Sequence, residues 1–381
     1  MTPMRPMSRA RAFFVRMAET AAAAFGPSRG IPSADGRRRI FFVVHNKNHM
    51  SIFSGFVGLL EARGVSVHFA SIGGHRNQGQ ALGAIAAANR QALDIGDMAR
   101  MATPDDLICL GNDWGPRRLV RLLERLKARG VPTVAVVEGA RFAFPRHYKH
   151  VDELLCWGPS GHDIGARRTR IVGSPVIEKA ARLPRTSHDR PRVLVNYKFS
   201  GTAQDNGFAW GAAAIAAARE IDPDFVLSTH PSSRDVPADV TVSHAPFHDL
   251  LQEATLVITK ASTVIHEALA AGVAVLYFPA PDEARAEFGD PRGAFETGES
   301  ASDLLAAARR YAAHPVFPAA AAQAFLDRHV SIDPAASANA RIAAALIKTL
   351  AARGDLGTQS QPSAMDGLPG AAVASSKRLQ A

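Results

Sequence analysis

The stretch TLVITKASTVIHEALAAGVAVLYFP, residues 255–279, decides the fold. Its outer runs, TLVIT and VAVLYF, are apolar, rich in β-branched residues and too short for helices. The segment between them carries apolar residues at helical spacing. Strand, helix and strand in that order form a parallel βαβ unit whose strands are covered on both faces. Such a unit could be apolar throughout, yet Lys260, Ser262, Thr263, His266 and Glu267 interrupt it.

The same alternation extends in both directions. Upstream from residue 39 it predicts strands RIFFVV, VSVHFAS, DLICLG and PTVAVV, with helices near 51–63, 80–93 and 116–129 between them. DELLCWG and TRIVGSP complete a first parallel sheet. Residues 176–192, VIEKAARLPRTSHDRPR, are polar and basic with two prolines and place a linker at 181–190. A second series follows: RVLVNYK, an Ala-rich helix near 206–219, DFVLSTHP, DVTVS, a helix near 247–253, and the opening βαβ unit. Helices near 302–310, 319–328 and 337–352 close the chain, the last placed to pack back across the first domain. The expected organisation is two doubly wound, Rossmann-like α/β domains in tandem, 37–180 and 191–353, with a basic leader at 1–36 and a disordered tail at 354–381.

The 381 residues suit two domains, and 47 % hydrophobic with 21 % charged residues is a globular balance. The formal charge of +9 invites a polyanion partner, but residues 1–39 hold eight Arg against Glu19 and Asp35. Phe14, Met17, Ala21 and Phe25 have helical spacing there, compatible with an interfacial helix in peripheral membrane contact and equally with a mobile basic terminus. Arg16 and Glu19 break any signal-peptide core, and nowhere do 18 apolar residues run together. Cys109 and Cys156, each inside an apolar run, predict buried thiols and a cytoplasmic compartment.

Open α/β sheets bind ligands beyond the carboxyl ends of their strands, so polar residues directly after apolar runs are the candidates. Lys260, Ser262 and Thr263 place a charge, two hydroxyls and unpaired N–H groups at a helix start, an anion site. Simple N-capping by either hydroxyl is the plain alternative, although a capping box is missing, Ile265 and His266 standing where Glu or Gln would be. Glu267, one turn after Thr263, is placed to accept ribose hydroxyls, while His266 falls beside that face and reads as structural. His230 and Pro231 end DFVLSTHP, where a His can donate to phosphate or simply occupy a loop. Glu138 ends TVAVVEG as a general base for an alcohol or as the partner of Arg141 or Arg146. Loops after the first strand of each domain add His45, Asn46 and His49 on the acceptor side, and Lys198, Ser200, Gly201 and Thr202 on the donor side. Surface loops are commonly polar in any case.

Other chemistries leave no pattern. No G-x-x-x-x-G-K-[ST] is present, and IGGHRNQGQALG does not fit G-x-G-x-x-G. Neither H-E-x-x-H nor a zinc-spaced Cys pair occurs, so no metal site is expected. Basic residues are not interleaved with aromatics along a strand, against nucleic acid as a partner.

Together these residues resemble the GT-B glycosyltransferases, in which two Rossmann-like domains face a cleft. LLQEATLVITKASTVIHEALAAGVAVLYFP, residues 250–279, is similar to their donor-site region. Glu138-Gly139, His230-Pro231 and Ser262-Thr263 follow the order of the acidic-acidic-Gly, His-Pro and Ser-Ser/Thr motifs of bacterial sialyltransferase and capsule-type transferase families. Val137 stands where the acidic motif often carries its second carboxylate. Residues 149–178 resemble the end of the first domain in capsule-type, teichoic-acid-polymerase-like and hydrolysing UDP-sugar epimerase relatives. The resemblance implies Glu138 as catalytic base, His230 as phosphate contact and acid to the leaving group, and Ser262 and Thr263 as phosphate ligands. It also implies no cofactor, a CMP-, CDP- or UDP-linked sugar as donor substrate, and a glycan or lipid-linked acceptor in cell-surface polysaccharide synthesis. A hydrolysing nucleotide-sugar 2-epimerase and a non-catalytic glycan or nucleotide binder share the scaffold.

Overall fold

The computed structural model describes residues 31, 33, 36–72, 78–112, 117–139, 148–160, 167–197, 207–229, 240–281, 283 and 285–352. Lys198, Ser200, Gly201, Thr202, His230, Pro231, Arg141 and Arg146 lie outside the described residues, as do leader residues 1–30 and the expected tail.

Two all-parallel sheets form, with order β3-β2-β1-β4-β5-β6-β7 and β10-β9-β8-β11-β12-β13. The first uses β1 (Arg39–Val44), β2 (Ser66–Ser71), β3 (Ala92–Asp94), β4 (Leu107–Leu110), β5 (Thr133–Val136), β6 (Glu153–Cys156) and β7 (Arg168–Ile171). Its helices are α1 (Lys47–Glu61), α2 (Gln78–Ala87), α3 (Ile95–Met101) and α4 (Arg117–Ala128). After α5 (Pro175–Ala181) the second sheet uses β8 (Val193–Tyr197), β9 (Val226–Thr229), β10 (Val242–Ser243), β11 (Leu256–Thr259), β12 (Ala274–Tyr277) and β13 (Glu296–Thr297). Its helices are α6 (Gly207–Ile221), α7 (Phe247–Glu253), α8 (Val264–Ala270), α9 (Ala301–Ala313), α10 (Ala319–His329) and α11 (Ala338–Ala351). These are the two doubly wound α/β units the alternation implies, in the form expected from the GT-B resemblance.

Each sheet has a core on either face, which is why central strands such as β4 and β12 are apolar at every position rather than at every second one. In β1, Ile40, Phe42 and Val44 enter a core with Phe53, Phe56 and Leu60 of α1, whereas Phe41 and Val43 pack with Leu119 and Leu123 of α4. In β11, Val257 faces α8 and α10 while Leu256 and Ile258 face α6 and α9. Burying a side chain such as Phe42 or Phe53 contributes about 1.5–3 kcal/mol each.

Several boundaries differ from the sequence expectation. Helix α1 starts at Lys47 rather than near 51, because the Asn46 side chain caps it by accepting from the N–H groups of Asn48 and His49. Helix α2 ends at Ala87, and the tail of the expected 80–93 helix is the edge strand β3, followed by α3. Three residues carry too short a pattern to announce a strand. The stretch read as linker begins with α5, whose Ile177 and Ala180 are buried in the second core.

Helix α11 returns to the first sheet, with Ile342, Ala343, Ala345, Leu346 and Leu350 in the core of α1. Its start is held by Glu178 of α5, which accepts from the Ala338 N–H at 2.8 Å and from Arg341 at 2.7 Å. Just before it the chain runs against the end of β6, Ser331 N–H donating to Trp157 O at 2.7 Å. A Cβ on Gly158 would lie 2.5 Å from the His329 main chain, so only glycine permits that approach.

Candidate active site at the facing strand tips

Strand β1 has β2 on one side and β4 on the other, so the chain leaves β1 and β4 in opposite directions and opens a crevice at their carboxyl ends. Register aligns Val43 with Leu110 and Leu110 with Ala135. The residues following these three strands, His45 to His49, Gly111 to Asn112 and Val137 to Gly139, therefore emerge at one level.

Glu138 is the centre of this half. Its carboxylate has Oε2 at 2.5 Å from His49 Nε2, and Oε1 accepts from Asn112 Nδ2 at 3.1 Å. His49 is fully buried, while the Glu138 side chain keeps 23 % exposure. His49 Nδ1 accepts the His45 main-chain N–H at 3.3 Å, which leaves Nε2 as the protonated nitrogen, aimed at the carboxylate. The 3.2 Å approach of the Asn112 amide to Nε2 is then a contact between two donors serving the same acceptor. Burial alone would push the Glu138 carboxyl up, but the hydrogen bonds of His49 and Asn112 hold it below its usual value. The result is an ionised, half-sheltered carboxylate fixed from behind and open in front. Room for the imidazole comes from Gly111, where a Cβ would stand 2.7 Å from the His49 ring.

The structure places two of the acceptor-side candidates away from open space. His49 is fully buried behind Glu138, and the Asn46 side chain is engaged in capping α1. His45 is 8 % exposed, its ring 5.1 Å from that of His49. Val137 packs into the cores of both halves, so its apolar side chain occupies space where a second carboxylate would be buried.

In the second half, Thr259 ends β11 in register with Asn196 and Tyr277, and Asn196 Nδ2 donates to Thr259 Oγ1 at 2.9 Å. The next four residues form the turn into α8. Lys260 is 3 % exposed, its Nζ 5.4 Å above the Trp210 ring of α6. The N–H groups here are less available than expected: Ala261 donates to Glu283 Oε1 at 2.6 Å and Ile265 to Ser262 O at 3.1 Å. Capping is weak, since Thr263 makes no side-chain cap bond and Ser262 Oγ accepts from Val264 N at a long 3.4 Å. Glu267 lies on the same face as Thr263, its Oε2 2.7 Å from His248 Nε2 of α7. His266 points away into a ring of Trp157, Phe288, Phe325 and His329, where burial lowers its pKa to about 3, in keeping with a structural residue.

The two halves meet at Gly139, whose added Cβ would be 3.4 Å from Thr263 Oγ1. Trp157 Nε1, donating to Val137 O at 3.0 Å, ties the Glu138 loop to the wall beneath α8. The turn that carries Glu138 therefore lies against the Ser262–Thr263 turn at the carboxyl ends of the two sheets, with His45 and His49 behind it. Sequence reasoning missed Gly111, Asn112, Trp210 and His248. Asn112 follows LICLG by the same strand-tip rule that selected Glu138 and was legible; His248, 19 positions before Glu267, carried no such signal. Among the described residues no group of His, Cys, Asp and Glu is arranged to hold a metal ion, and no helix is long and apolar enough to cross a membrane.

No family model matches the sequence, and no curated protein matches it in sequence. Solved structures do match in fold. The chain is similar to the spinosyn forosaminyltransferase SpnP, with a TM-score of 0.51 and 18 % identity over 83 % of this chain and 100 % of that one. It is similar to MurG of Acinetobacter baumannii, with a TM-score of 0.54 and 12 % identity over 82 % and 99 %. It is also similar to the UDP-GlcNAc 2-epimerase of Neisseria meningitidis bound to UDP-GlcNAc, with a TM-score of 0.55 and 10 % identity over 82 % and 100 %. At such identities the likeness is one of fold.

Proposed function

We propose that the protein is an inverting glycosyltransferase that moves a sugar from a nucleotide-activated donor to a hydroxyl of a glycan or lipid-linked acceptor in cell-surface polysaccharide synthesis. The observation that carries this is the Glu138 carboxylate, ionised and braced by His49 and Asn112, next to Gly139, whose Cβ position stands 3.4 Å from Thr263 Oγ1.

The acceptor oxygen attacks the anomeric carbon from the first-domain side while its proton passes to Glu138. The bond from that carbon to the phosphate oxygen breaks, its electron pair leaving with the nucleotide. His49 does not exchange the proton with substrate; it keeps the carboxylate oriented and ionised. Negative charge building on the phosphate is met by Lys260 and the hydroxyls of Ser262 and Thr263. His230, with Lys198, Ser200, Gly201, Thr202 and Pro231, is assigned to the same donor side from sequence. A positioned donor of this kind contributes about 3–4 kcal/mol where charge develops. Glu267, steadied by His248, is assigned to the ribose. With the phosphate charge met by protein groups, the transfer is assigned as metal-independent, and turnover unaffected by EDTA is the expected result.

The test is a thermal-shift comparison of CMP, CDP, UDP and GDP, followed by transfer assays with sugars of the preferred nucleotide. One nucleotide giving the clear shift, with a product of inverted anomeric configuration by NMR, is expected. No shift with any of them, or a retained configuration, removes the proposal. The epimerase likeness motivates a second reading, a hydrolysing 2-epimerase. Incubation with a UDP-sugar and no acceptor separates them, since epimerised and released sugar belongs to that reading alone.

A further inference from the structure

The fold places a basic helix, α4, close to Ile31, which is remote from it in sequence. Helix α4 is strongly amphipathic: Leu119, Leu122, Leu123 and Leu126 face the core, and Arg118, Arg121, Arg125 and Lys127 are exposed with Glu124 as the one exposed carboxylate. Its end is fixed to the end of α3, where Arg129 donates to the carbonyls of Ala99 and Ala102. At that same place the chain arriving from the leader is pinned: Ile31 N–H donates to Met101 O at 3.0 Å, and Arg39 Nη2 reaches both Ile31 O and Met101 O. Arg39 is itself buried against Asp106 at 2.7 Å, so the pin belongs to the folded core. Residues 1–30, which precede Ile31 in the sequence, hold five Arg against Glu19. Ile31, 61 % exposed, adds an apolar side chain at the junction.

We propose that the exposed face of α4, together with the Ile31 junction, is a docking surface for an anionic lipid bilayer. Arginine and lysine along one helix face are attracted to acidic headgroups, and an apolar residue beside them can enter the interface. Nucleic acid fits less well, because the exposed positions of α4 carry no aromatic ring on which a base could stack. The start of α4 lies five positions after Asn112. A bilayer along this helix therefore also lies near the mouth of the Glu138 cleft, where a lipid-borne acceptor would be presented. The lipid contact stands apart from the transfer chemistry and is measured without turnover.

The full chain is sedimented with vesicles of 30:70 phosphatidylglycerol and phosphatidylcholine at 0.1 M NaCl. Arg118→Gln/Arg121→Gln/Arg125→Gln lowers the partition coefficient by about two orders of magnitude. Equal charge loss on other faces, Arg182→Gln/Arg219→Gln/Lys348→Gln, leaves it within a few-fold of the parent. Glu124→Gln strengthens binding a few-fold, an effect a structural role of α4 would not give. Deleting residues 1–30 weakens binding but leaves a salt-sensitive remainder that the α4 triple variant removes. An α4 variant that folds and binds like the parent overturns the proposal. So do binding abolished by the leader deletion alone, and a parent that retains single-stranded RNA but not the vesicles.

Discussion

His266 offers a quantitative check on the division between donor-site residues and their support. Its imidazole is 0 % exposed and ringed by Trp157, Phe288, Phe325 and His329 at centroid distances of 5.4 to 6.0 Å. Burial, reinforced by His329, depresses its pKa from 6.5 to about 3. The folded state then holds His266 neutral while the unfolded chain takes up a proton below about pH 6.5. Stability is unaffected above that value and falls as pH drops from 6.5 toward 3, by about 1.4 kcal/mol per pH unit. At pH 5 the penalty is about 2 kcal/mol. His266→Phe keeps a ring in the aromatic box and removes the titration. Its constant packing cost cancels when each protein is compared with itself at pH 7.5 and pH 5. The parent should lose about 4–8 °C more than the variant over that interval, at about 2–4 °C per kcal/mol. Thermal unfolding followed by far-UV circular dichroism reads this directly, and turnover at pH 7.5 should be retained. Parallel pH profiles would refute the reasoning, showing that Glu287, whose Oε1 is 3.5 Å from Nε2, accommodates the charged ring. Loss of turnover at unchanged stability would move His266 into the site.

Three further outcomes follow from the geometry. Gly111→Ala places a Cβ 2.7 Å from the His49 ring and should cost about 1–3 kcal/mol in denaturant unfolding, with turnover falling as His49 shifts behind Glu138. Asn112→Asp replaces a donor to Glu138 by a like charge, so the acid limb of the kcat/KM profile should move to higher pH; an unmoved limb would detach that limb from Glu138. Lys260→Met removes the cation above Trp210 and should weaken nucleotide binding by calorimetry while leaving the melting temperature within a few degrees.

The sheets were legible because both faces of every central strand are covered, which writes apolar runs such as FFVV and LVIT at fixed spacing. The strand-tip rule selected Glu138, Lys260, Ser262 and Thr263, and the structure does place them just beyond β5 and β11, since the rule depends only on where a run ends. It could not tell which polar residues face the cleft. Asn46 turns inward to cap α1 and His49 passes beneath the sheet end, distinctions set by one turn of helix and by the space Gly111 leaves. Pairs such as His248 with Glu267, and Glu178 with the start of α11, join separate elements and have no local trace in the sequence. The basic stripe of α4 was present as RRLVRLLERLK, but its place near Ile31 needed the hydrogen bond from Ile31 to Met101.

The central claim is that Glu138 takes the acceptor proton. Glu138→Gln preserves the shape and the Asn112 contact region while removing the base. Measured with the nucleotide-sugar that the thermal-shift panel selects, the variant should lose at least about a hundredfold in kcat. Nucleotide affinity by calorimetry should stay within a few-fold of the parent. Turnover near that of the parent, with intact nucleotide binding, would contradict the account.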